Sequence, residues 1–103
     1  MIQIASGQPD RPTIFRYEVP VDDRWHTLRL SGEILHVAAR RANAVELWAM
    51  STDDGRDGVD REFRVVGTGL LLPEGRHTYR GTAIVPGGLL VWHLLEWTNA
   101  RSG

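Results

Sequence analysis

The sequence predicts an all-β domain, a small sandwich or partly open barrel of about seven short strands. Turn-forming Gly, Pro, Asn and Asp residues recur about every 8 to 12 positions, which is the spacing of short strands joined by turns. Between them, apolar and polar residues alternate, so an extended chain presents one apolar side. The apolar share of 42% and charged share of 24% in 103 residues are those of a folded domain with one modest core.

Residues 14–20, IFRYEVP, set Phe15, Tyr17 and Val19 against Ile14, Arg16 and Glu18, and Pro20 closes the run. In WHTLRL, His26, Leu28 and Leu30 alternate with Trp25, Thr27 and Arg29 before a turn at Ser31 and Gly32. EILHVAAR and AVELWAM follow, separated by RANA, whose Asn43 tolerates left-handed backbone. STDDGRDG is the most polar stretch and reads as a long loop. REFRVVGTG, HTYRGTAIV and LLVWHLLEW complete the set, the last two joined by PGG. One alternative stands. Ile34, Ala38, Ala42, Val45 and Ala49 also recur at three to four positions, and a helix near 34–49 would make the fold α+β. Two strands are preferred, because Gly32 starts no capping box and Val37, Asn43, Val45 and Trp48 lower helix propensity. The expected domain runs over residues 13–98, with residues 1–12 and 99–103 as flexible ends.

The bulk properties exclude several functions. A formal net charge of −1 provides no basic face to displace counterions from nucleic acid. No apolar run approaches the roughly 18 residues a spanning helix needs, and no basic-then-apolar leader opens the chain, so a cytoplasmic protein is expected. Without cysteine there is no disulfide, thiolate nucleophile or cysteine-ligated zinc. All 12 basic residues are Arg, whose planar fork suits carboxylates and aromatic faces, although a GC-rich codon bias explains the same choice.

The VGTG at residues 66–69 raises the question of a phosphate cradle. Such a cradle hands its glycines straight into a helix whose N-terminus holds the anion. Here LLLPEG follows, and Pro73 and Gly75 stop any helix within a turn. Gly67 and Gly69, two apart on one face of a strand, are instead expected to allow a bulge or the close approach of a bulky ring.

RYEVPVDD, ILHVAAR, ELWAM, REFRVVGTG, YRGTA and VWHLLE, in this order and spacing, resemble an uncharacterised family of short actinobacterial and bacteriophage proteins known as a domain of unknown function. The resemblance covers roughly residues 15–96. It implies a compact β domain of phage or prophage-bearing lineages and no activity. The family's pattern continues VGTG with His and Pro; Leu70 stands there in this chain, and no role built on that His carries over.

The candidate chemistries are weak. His26, His36, His77 and His93 form no short zinc-type pair, although two central strands could set His36 and His93 side by side. They are read as structural, with no metal and no cofactor. Glu46 or Glu96 with Glu62, Arg64 or His93 could form an acid/base pair, but the two glutamates alternate with apolar neighbours as solvent-facing strand positions do. Asp53, Asp54, Asp57 and Asp60 suggest calcium, yet an EF-hand register from Asp53 places Arg64 where a Glu is needed. Trp25, Trp48, Trp92 and Trp97 are numerous, and Trp with Arg anchors protein interfaces. Trp92 and Trp97 point to opposite faces of one strand that is apolar on both sides, hence either central in two layers or covered by another molecule.

These readings predict a non-enzymatic interaction module, a homo-oligomer or a protein binding a partner through an Arg/Trp surface or an open sheet edge. The alternative is a small-ligand or nucleotide-binding protein using Gly67, Thr68 and Gly69 with Arg64, Arg80 and His93. A hydrolase is a minor third reading. The candidate ligand or interface residues are Arg64, Gly67, Thr68, Gly69, Arg80, Trp48, Trp92, His93 and Trp97; none is assigned to catalysis or metal.

Overall fold

The alternation along the first predicted strand decides which way it faces. In the computed structural model, which describes residues 12–52 and 58–98, Tyr17 and Val19 point into the core, while Arg16 and Glu18 point outward. The same two-residue period builds all seven strands: β1 (Pro12–Pro20), β2 (His26–Leu30), β3 (Ile34–Arg41), β4 (Ala44–Thr52), β5 (Val59–Gly67), β6 (His77–Ile84) and β7 (Val91–Trp97). They pair antiparallel into a three-stranded sheet, β1-β4-β3, and a four-stranded sheet, β2-β5-β7-β6.

The sheets stack face to face. Val19, Val37, Ala39, Val45, Leu47 and Ala49 from one meet Leu30, Phe63, Val65, Ala83, Val85 and Leu94 from the other. Each fully buried Leu, Val or Phe contributes about 1.5–3 kcal/mol. Among the described residues no strand pairing joins the two sheets, so the fold is a sandwich and not a partly open barrel. Among the described residues there is no helix.

The stretch at 34–49 is a hairpin rather than a helix. Val37 and Ala39 face the core while Ala38 and Arg40 do not, a period that only an extended chain can satisfy. Its turn, Ala42 and Asn43, works differently from expectation. Asp23 is the one non-glycine residue with positive φ among those described, so Asn43 does not use left-handed backbone. Asn43 instead accepts Val21 N–H through its carbonyl at 3.0 Å and Arg41 Nε–H through its side chain at 3.2 Å. The aspartate-rich segment at 53–57 and both chain ends lie outside the described residues.

β7 is apolar on both sides because it is an internal strand, flanked by β5 and β6. Both neighbours run antiparallel to β7 and therefore parallel to each other. Gly67, at the end of β5, pairs with Trp92, whereas His77, at the start of β6, pairs with Trp97 at the other end of β7. Residues 68–76 must travel back along the sheet, and with the inner side filled by core they do so over the outer side. This segment is termed the strap.

Two carboxylates correct the expectation that Glu46 and Glu96 face solvent. Each sits on an inner strand of its sheet, where arginines from neighbouring strands close over it, and both are buried. Glu46, on the outer side of β4, accepts from Arg40 Nε at 2.9 Å, Arg40 Nη2 at 2.8 Å and Arg16 Nη1 at 2.8 Å. Glu96, on the inner side of β7, accepts from Arg61 Nε at 2.7 Å, Arg61 Nη2 at 2.9 Å and Arg80 Nε at 2.9 Å. Arg61 Nη1 also donates to the Gly32 carbonyl at 2.7 Å, tying the β2–β3 link to the same cluster.

The Arg40 bonds hold the Glu46 carboxyl below the usual carboxylate range against the opposing effect of burial. At Glu96 burial is the largest influence and pushes upward, but the Arg61 and Arg80 bonds together outweigh it and leave the group lowered. A carboxyl lowered in the folded state stabilises the fold above its unfolded pKa and loses that contribution as pH falls through the folded value. Glu96→Gln removes the charge between two guanidinium groups and is expected to cost about 2–4 kcal/mol at pH 7. Urea titrations of variant and wild type should show this gap narrowing toward pH 3, as the wild-type carboxyl takes up its proton.

Candidate functional site

The strap begins where the VGTG ends. Gly67 is the last residue of β5 and is buried beneath the Trp92 ring; a Cβ built there would lie 3.0 Å from that ring and 3.4 Å from Leu70 Cδ1. Thr68 and Gly69 then turn the chain, with Leu70 N–H donating to Gly67 O at 3.2 Å. The expectation of a ring closing on a glycine therefore holds at Gly67. Gly69, by contrast, is a turn residue with φ of 90° and does not share a strand face with it. No helix follows the VGTG, so its amides form no phosphate-binding helix terminus.

Beyond the turn, Leu70, Leu71 and Leu72 lead through Pro73 and Glu74 to Gly75, at φ of 97°. A Cβ on Gly75 would overlap the Trp97 ring. Thr98 N–H donating to Arg76 O at 3.0 Å closes the strap. Beneath it, Val66 and Leu95 point outward from the sheet yet are only 5% and 1% exposed, a second small apolar layer outside the main core.

Beside this layer lies a cleft of about 790 Å³, bounded by Asp23, Trp25 and Arg64 on one side and by residues 69–74 of the strap on the other. The Trp25 ring meets Trp97 edge to face at 5.4 Å and 79°. The Arg64 guanidinium lies over Trp25, 5.8 Å from the ring centre, and its Nη2 donates to Asp23 Oδ1 at 2.7 Å. Arg64 Nε is buried and has no hydrogen-bond partner among the described residues.

Along the same face runs a polar chain. Thr68 Oγ1 is 2.7 Å from His93 Nε2, and Tyr79 Oη is 2.7 Å from His93 Nδ1, with Thr82 Oγ1 hydrogen-bonded to Tyr79. In a neutral ring one nitrogen donates and the other accepts, so both His93 nitrogens are occupied and the imidazole ties the first residue of the strap to β7 and β6.

Of the nine residues singled out in the sequence, Arg64, Thr68, Gly69, His93 and Trp97 are gathered here, with Gly67 beneath the turn. The others are elsewhere. Arg80 follows the bulge between Tyr79 and Gly81 toward Glu96, away from Arg64 and His93. Trp92 lies on the inner side of β7 and donates its Nε1–H to Ala42 O at 3.1 Å, linking the two sheets. Trp48 is on the outer side of the other sheet, its ring 5.6 Å from His36. His36 and His93 are therefore on opposite faces of the sandwich, so the side-by-side pairing of these imidazoles does not form. Glu46 outside one sheet, Glu96 inside and His93 outside the other do not converge as an acid/base pair either.

A family model described as Domain of unknown function (DUF7352) matches residues 11–102. The chain belongs to the DUF7352 family. That match takes in every strand of this DUF7352 sandwich, the strap and the cleft residues. No curated protein and no solved structure matches the chain.

Sequence reasoning missed Asp23, Trp25 as a cleft wall, and the strap leucines. The last had a signal, since three leucines bracketed by GTG and PEG are too few for a strand and fall in a turn-rich segment. Asp23 had none, because its contact with Arg64 spans 41 positions. Gly75→Ala tests the strap's seating. The added methyl meets the Trp97 ring on backbone that favours glycine, so the variant is expected to lose about 1–3 kcal/mol, with a shift in tryptophan emission as Trp97 gains solvent.

Proposed function

We propose that this protein is a non-enzymatic interaction module working in the cytoplasm, an accessory protein of the phage or actinobacterial kind its resemblance implies, and that it docks a protein partner through leucines at one end of the four-stranded sheet. The observation that supports this reading is the exposure of large aliphatic side chains in two adjacent loops. Leu71 is 95% exposed and Leu89 93%, with Leu70, Leu72 and Leu90 also exposed. The two loops leave the same end of the sheet, since Gly67 pairs with Trp92 and Thr68 N–H donates to Val91 O at 3.4 Å. Neighbouring exposed leucines cost solubility unless a partner covers them.

The geometry favours this surface over the two docking modes expected from sequence. The tryptophans are committed internally, to each other, to His36 and to Ala42. The sheet edges are blunted as well: β3 and β6 carry bulges, β2 has 5 residues, and β1 starts and ends in proline. A second copy of the chain is the simplest partner. Sedimentation velocity is expected to show concentration-dependent association of the wild type and a monomeric Leu71→Asp/Leu89→Asp double variant of unchanged thermal stability. A wild type that stays monomeric at millimolar concentration, and captures the same lysate proteins as the double variant, removes this reading.

A further inference from the structure

We propose that the cleft between Trp25, Arg64 and the strap is a binding site for a carboxylate carried on an apolar or aromatic body. The proposal rests on how the Arg64 fork is used. A carboxylate meets a guanidinium well side-on, with one oxygen on Nε and the other on Nη2. Two arginines of this protein do so. Arg61 holds Glu96 through Nε at 2.7 Å and Nη2 at 2.9 Å, and Arg40 holds Glu46 through Nε at 2.9 Å and Nη2 at 2.8 Å. Arg64 is the same fork half filled. Its Nη2 has Asp23, but its Nε is buried without an acceptor among the described residues, the costly condition for a polar donor.

Asp23 fills that half from an unfavourable position. It is exposed, and it is the one described non-glycine residue in left-handed backbone, at φ of 66°. It acts as an internal stand-in for a ligand's acid group. Nε is closed to solvent while Asp23 holds the fork, so binding has Asp23 swing into water, where it is already mostly solvated, and the guanidinium turn to present both Nε and Nη2 to the ligand carboxylate.

The rest of the cleft selects the body of the ligand. Trp25, Leu70, Leu72 and Pro73 present apolar surface beside the guanidinium. The charge balance selects the acid. Among the lining residues Arg64 is the sole cation, while Asp23 and Glu74 are acidic, which disfavours a dianionic phosphate and admits a single carboxylate. The site needs Arg64 and Trp25 but neither Leu71 nor Leu89, so it stands whether or not the leucine surface docks a partner.

The two sources of such a group are a free apolar acid and the C-terminal carboxylate of a peptide ending in an apolar residue. The test uses 4-phenylbutyrate and a hexapeptide with a free C-terminal leucine, each beside its neutral amide, followed by NMR of the tryptophan indole signals. Binding of either acid is expected to move the Trp25 and Trp97 signals while Trp48, on the opposite face, stays still. Each amide should bind at least about tenfold more weakly than its acid. The tighter-binding acid identifies the source. Arg64→Gln should abolish binding. Asp23→Asn, which removes the competing carboxylate, should tighten it about three- to tenfold, a gain that misfolding cannot imitate. Equal affinity for acid and amide, an Asp23→Asn variant that binds no tighter, or no movement of the Trp25 signal at millimolar concentrations of either acid would overturn the proposal.

Discussion

Much of the structure depends on one topological constraint: β5 and β6 flank β7 and run parallel to each other. Antiparallel neighbours can be joined by a tight turn, but parallel strands need a connection that returns along the sheet. Nine residues, 68–76, make that return without a helix. The outer side of the sheet is consequently roofed rather than solvated, Val66 and Leu95 become a second apolar layer, and the space between roof and strand becomes a cleft.

Alternation along the strands was legible because each sheet buries one side against the other, and period two is then enforced at every residue. Tyr17 and Val19 in β1 needed no knowledge of partners to be set on one face, whereas β7, apolar on both sides, showed only that Trp92 and Trp97 face opposite ways. Choosing hairpin over helix at 34–49 also succeeded, because Val37 and Val45 prefer a pleated surface. Sequence could not show pairing across long separations. Arg64 and Asp23, 41 positions apart, and Trp92 and Ala42, 50 apart, meet only through the stacking of the sheets and the course of the loops. Several candidates therefore shared a face, while Trp48 and Arg80 were carried elsewhere.

The buried glutamates mark where simple alternation misleads. A charged residue between apolar neighbours is ordinarily a solvent position, and Glu46 does point away from the core. It is hidden because Arg40 and Arg16 lie across it from the adjacent strands. A chain with arginine and no lysine can do this repeatedly, since the planar fork covers a carboxylate and satisfies it at once. Arg61 extends the device to bind the Gly32 carbonyl, so one side chain fixes both a charge and a crossing between sheets.

The strap also separates two kinds of freedom. Its ends are fixed, at Gly67 by the Trp92 ring and at Gly75 by the Trp97 ring, but residues 70–74 between them contribute no strand pairing. Substitutions in that interval leave the hydrogen-bonded ladder and the main core between the sheets untouched while redrawing one wall of the cavity. The frame thus holds a cassette of five side chains whose identity is not fixed by strand pairing.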